Sequence, residues 1–167
     1  MIPGLSAASF TLVHVVLSLL GIGSGFVVVF GFFTARRLRF WTAFFMTATA
    51  LACLTGFLLP FHGMTLSLEL EIPALAALVL AAADRYTLLF AGMWRHTYVV
   101  SVMVALYCGV TALVAQIFVR FLAPTARIPW QYGRLLALTE AAVFVAFAVA
   151  TYYALKRFRS RPGHKLQ

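Results

Sequence analysis

Four residues at one end of the apolar runs combine side-chain types that bind metals and haem. His14 lies inside the first run, His62 follows Pro60 after the second, and Glu69 and Glu71 open the third. Imidazole and carboxylate together are adequate ligands for a transition metal. Two histidines on neighbouring helices can ligate a haem iron. The sequence therefore raises haem b or quinone as cofactors at His14 and His62, and a metal at Glu69 and Glu71. Two considerations weigh against these sites. Glu69 and Glu71, two apart on a helix, do not share a face. One histidine sits in a span and the other in a loop, whereas paired haem ligands need matched depth. The plainer reading has His14 hydrogen-bonding a neighbouring helix and His62 in headgroup water.

Glu140 is a second candidate. It lies about eight residues into the last apolar run, about 12 Å along a helix. An ionised carboxylate at that depth is costly unless it is paired or faces water. Gln116 and Arg120 on the preceding run, and Arg134 on its own, are its candidate partners. The chemistry on offer is a proton or substrate contact, set against a structural carboxyl that is paired or protonated.

Asp84 and Arg85 are adjacent, so on a helix they point in different directions. Arg85 is expected to reach the membrane interface, and Asp84 to pair with Arg36 or Arg37. The DRY triplet at 84–86 also ends a helix in G-protein-coupled receptors, but the chain is too short for seven spans. The sequence contains no Walker loop, no dinucleotide glycine fingerprint and no HExxH. It contains no GxSxG elbow either. Its two cysteines, Cys53 and Cys108, fall mid-run and read as small buried packing residues.

The elements that must position these groups are membrane helices. Of the 167 residues 63% are hydrophobic and only 10% charged, with mean hydropathy +0.99. A soluble domain is closer to a quarter charged, and this composition in water would expose large apolar patches. The fold class is all-α, a polytopic transmembrane helix bundle of about five spans, with four as the alternative. The spans are placed at about 10–33, 41–59, 66–92, 98–119 and 132–155. The third, broken by Pro73, is read as one long tilted helix rather than two short ones. Pro124 and Pro129 mark the last connection as an extended external loop. Residues 1–155 form a single transmembrane domain, and 156–167 a basic cytoplasmic tail. The first run has no Lys or Arg ahead of it, so a retained span is expected there rather than a cleaved signal. Its Gly21, Gly23, Gly25 and Gly31 suit a central helix, because small residues let helix backbones approach in lipid.

The net charge of +9 does not indicate nucleic acid, because the basic residues cap apolar runs. With five spans, ten of the 13 Lys and Arg fall on one side, leaving Arg120, Arg127 and Arg134 on the other. The positive-inside rule then puts the N-terminus outside and the C-terminus in the cytoplasm. A four-span path weakens this asymmetry.

The runs HVVLSLLGIGSG, RRLRFWTAFF and TGFLLPF, the DRY at 84–86, and WRHTYVV and ALY resemble a family of small uncharacterised multi-pass bacterial inner-membrane proteins. The resemblance covers about residues 11–125 and departs at 69–73, where a purely apolar helix would be expected. It implies a bacterial cytoplasmic membrane location and no activity. The functional expectation is a non-enzymatic protein, either an accessory or interaction subunit of a membrane assembly or a small-molecule binder in the bilayer. Its partners would be lipid, other membrane subunits or a second copy of itself. The alternatives are a redox subunit holding haem b or quinone, and a minimal oligomeric transporter using Glu140.

Overall fold

The apolar runs separate into five helices because each is punctuated by arginine, proline or glycine. In the computed structural model these are α1 (Ala7–Phe33), α2 (Arg39–Leu58), α3 (Leu66–Tyr86), α4 (Trp94–Ile117) and α5 (Pro129–Arg157), with a π-helical turn, Phe118–Leu122, continuing α4. The structure describes residues 7–58, 66–86, 94–122 and 129–157. No strand occurs among them. Four helical stretches, Ser9–Phe33, Arg39–Leu58, Arg95–Phe121 and Gly133–Arg157, are long and apolar enough to cross a membrane. The chain is thus a membrane-type helix bundle. The third helix, which carries Glu69, Glu71, Asp84 and Arg85, falls outside that set.

Several boundaries differ from those expected of the sequence. α1 starts at Ala7 rather than 10, which puts His14 about two turns inside the helix. The described part of the third helix ends at Tyr86, and residues 87–93 lie outside the described set. α4 starts at Trp94 and α5 at Pro129, each earlier than expected. Proline suits the first helical position because its missing N–H would have no intrahelical acceptor there.

α1 ends in a Schellman motif. Arg36 N–H donates to the Gly31 carbonyl (2.9 Å) and Ala35 N–H to the Phe32 carbonyl (3.3 Å). Ala35 is left-handed, with φ 52°. This turn fixes the path of Arg36–Arg39 into α2.

The packing explains the glycines. A Cβ on Gly25 would stand 2.6 Å from Leu106 and 2.9 Å from Phe45, and one on Gly21 would stand 2.8 Å from Thr49 Oγ1. α1 therefore touches α2 and α4 along bare backbone. α3 packs on α4 through a stripe of mostly small residues, Ala74, Ala77, Leu78, Ala81 and Asp84, at helical spacing. Rings tie the helices further. Phe32 and Tyr98 meet edge to face at 5.8 Å, and Tyr107 meets Phe147 at 5.7 Å. Each such pair is worth about 0.5–1.5 kcal/mol beyond its area. α5 is peripheral: Ala154 is its one fully buried side chain among those described.

Candidate functional site

Where α1, α2, α3 and α4 diverge, at the end of the bundle away from Arg36–Arg39, they enclose a cavity of about 320 Å³. That falls within the range of small-ligand pockets. Most of its wall is apolar, including Ile22, Phe45, Ala74, Leu106 and Leu113. Six polar side chains interrupt it: His14 and Ser18 from α1, Thr49 from α2, Glu71 from α3, Gln116 from α4 and Arg120 from the π turn.

His14 is oriented by α2. Its Nδ1 lies 3.0 Å from the Ala52 carbonyl and 3.1 Å from Thr55 Oγ1. A carbonyl only accepts, so Nδ1 carries the proton and Nε2 keeps the lone pair. Thr55 is itself held by the Leu51 carbonyl at 2.8 Å. The expected hydrogen bond from His14 to a neighbouring helix is therefore present, and it leaves the other ring nitrogen available as an acceptor.

Glu71 enters the cavity because α2 makes room for it. Its carboxylate lies against the bare Cα of Gly56, where a Cβ would collide with both carboxylate oxygens. Glu71 Oε2 is buried without a hydrogen-bond partner, and so is Thr49 Oγ1 on the neighbouring helix. An unsatisfied buried polar group costs about 1–3 kcal/mol. Both atoms are shielded from the cavity as well as from solvent, because Glu71 rests on Gly56 and Thr49 Oγ1 on Gly21, bare backbone of the facing helices. Glu69 is exposed, so the two glutamates diverge as their spacing requires. Among the described residues no group of three or more His, Cys, Asp or Glu converges on a metal position. His62 lies outside the described residues.

The two cysteines behave as packing residues. Cys53 and Cys108 are buried and free, and they cluster with Ala74 on the same wall. The sequence placed His14 and Glu71 at one end of the apolar runs and Gln116 and Arg120 beside Glu140, but it did not bring the two pairs together. It gave no weight to Thr49 or to the notch at Gly56. The one signal for the notch was a glycine near the end of an apolar helix. The π turn also went unread. Its wider winding, common at functional positions, sets Arg120 and Phe121 on the cavity wall.

Glu140 is half-buried, with Oε1 unpartnered, and lines neither this cavity nor a second one near Arg85. Of its expected partners Gln116, Arg120 and Arg134, the first two line the first cavity. Asp84 is 1% exposed, and its Oδ2 has no hydrogen-bond partner. Its expected pairing with Arg36 or Arg37 does not occur at that atom, because Asp84 lies on the stripe that packs α3 onto α4. Arg85 crosses to α2 and donates to the Arg39 carbonyl at 3.0 Å.

No family model, no curated protein and no solved structure matches this chain.

Proposed function

We propose that this chain is a non-enzymatic membrane protein that binds a small, mostly apolar molecule with a polar head. The molecule would sit in the cavity between α1 and α4. The observation that carries this reading is the cavity itself, a mostly apolar wall onto which His14, Glu71, Gln116 and Arg120 converge from four elements. His14 Nε2 adds an acceptor held in place from behind. Quinones and quinols have this chemistry: an apolar body and ring oxygens that accept or donate hydrogen bonds. Haem is the alternative occupant, which His14, the histidine on the wall among the described residues, would hold.

The test begins with a visible spectrum of the detergent-purified protein, oxidised and then dithionite-reduced. Sharp reduced α and β bands would replace the quinone reading with a cytochrome. Organic extraction with mass spectrometry then identifies a bound molecule, and a short-chain benzoquinone is titrated against thermal unfolding. The expected result is stabilisation that Ala112→Leu, which fills the cavity, abolishes. Equal stabilisation of wild type and Ala112→Leu would refute the cavity as the site.

The role of interaction subunit is favoured by α5. It shows Leu138, Phe144, Val145 and Tyr152 outward, and packs on the bundle along one edge through Phe147, Ala150 and Ala154. Lipid alone covers such a face adequately, so co-purifying membrane subunits are the observation this role requires.

A further inference from the structure

A second cavity, about 360 Å³, opens at the other end of the bundle, and its wall carries four arginines: Arg36 and Arg37 from the α1–α2 turn, Arg39 from the first turn of α2, and Arg85 from the last turn of α3. Tyr98 and Thr42 also line it, with the Tyr98 hydroxyl bonded to Thr42 and Arg85, and no acidic side chain lines it. Along the sequence these arginines serve only to orient the chain. Their convergence from three chain segments around one cavity is a property of the fold. We propose that this cavity binds a phosphate group, as a phospholipid headgroup or a soluble phosphate compound.

Three features support this assignment. The Arg36–Arg39 run is not a floating tail, because the Schellman bonds from Ala35 and Arg36 anchor it to α1. A Cβ at Gly31 would press on the Arg36 carbonyl at 3.0 Å, so the turn closes tightly on the helix end. Arg85 is held from two sides: it donates to the Arg39 carbonyl at 3.0 Å, and its guanidinium lies 5.5 Å from the Tyr86 ring centroid. A guanidinium has five N–H donors in a planar fork, so bonds to the Arg39 carbonyl and the Tyr98 hydroxyl leave others for phosphate oxygens. The third feature is charge. Four guanidinium groups around one cavity attract an anion, and the first turn of α2 adds the positive end of its dipole. Asp84, the nearest carboxylate in sequence, belongs to the α3 stripe buried against α4 and is absent from the cavity wall. Phosphate suits this set better than a carboxylate ligand would, since its oxygens accept several forked pairs at once.

The protein is purified and placed in nanodiscs of phosphatidylcholine alone, or of phosphatidylcholine with phosphatidylglycerol. Retained phospholipid is counted by native mass spectrometry. Unfolding temperature is followed in both disc types, and inorganic phosphate is titrated into the first. Wild type is expected to retain phosphatidylglycerol in preference to phosphatidylcholine. The Arg36→Gln/Arg85→Gln variant should bind it about tenfold more weakly or worse. Stabilisation by inorganic phosphate without lipid preference assigns the site to a soluble phosphate compound. Arg157→Gln, on the exposed end of α5, is the control for general attraction to anionic lipid. If Arg157→Gln loses as much as the double variant, or wild type responds to neither probe, the proposal is overturned. Should the double variant misfold by circular dichroism, Arg36→Gln alone decides, since its side chain is exposed in the turn. These variants lie outside the His14–Glu71 cavity, so the result is independent of the reading proposed for that cavity.

Discussion

The Glu71 carboxylate of α3 rests on Gly56 of α2, in a notch that any side chain at position 56 would fill. The contact decides where the carboxylate points. Without the notch, Glu71 could not lie at the α2–α3 boundary with its Oε2 buried.

Gly56→Ala should therefore destabilise the protein by about 1–3 kcal/mol, the usual cost of overpacking. Reversible unfolding in mixed micelles measures it. Most of the loss should disappear when Glu71→Ala is combined with it, because the colliding atoms are gone. Strict additivity of the two substitutions would contradict the contact.

Thr49→Val should stabilise the fold by about 1 kcal/mol, because it removes a hydroxyl with no partner and keeps the side-chain shape. The same substitution should leave binding in the cavity unchanged, because the hydroxyl packs against Gly21 and is shielded from the cavity. A variant that is more stable and binds as wild type would assign Thr49 a packing role. A loss of stability would show that the hydroxyl is satisfied in the folded protein.

Ala35 occupies the left-handed position that closes α1. That conformation costs an L-residue about 1–2 kcal/mol, and glycine adopts it freely. Glycine also gains entropy in the unfolded chain, so Ala35→Gly should stabilise by about 0.5–1 kcal/mol net. Ala35→Val should destabilise, since a β-branched residue suits that region least. Unfolding midpoints of the two variants on opposite sides of wild type would confirm the cap.

Gly25→Leu places a large side chain where Leu106 and Phe45 already stand. It should separate α1 from α4 and cost about 3 kcal/mol or more in stability. At Gly23, a Cβ would meet no atom within 4 Å. Gly23→Leu should therefore leave the unfolding midpoint close to wild type. Equal damage from both would mean that α1 packs on a different face.

Much of this architecture was legible from residue order alone. Apolar run lengths and their punctuation determined the helical class, the approximate spans and the close contacts of α1, because lipid demands internally bonded helices and close backbone contact demands small residues. The divergence of Glu69 from Glu71 also followed from helical geometry. The full set that shares a cavity did not. His14 and Glu71 fall at one end of the bundle by run order, but only packing turns both to one wall and adds Thr49, Gln116 and Arg120 to it. The arginines at 36–39 and 85 read as topology signals because their number and spacing say nothing about convergence. Tertiary structure brought them together through a left-handed turn at Ala35 and an α3 helix whose last turn reaches α2. Side-chain type and period are local properties written along the chain. Which faces meet depends on steric fit between helices, down to a missing methyl at Gly56.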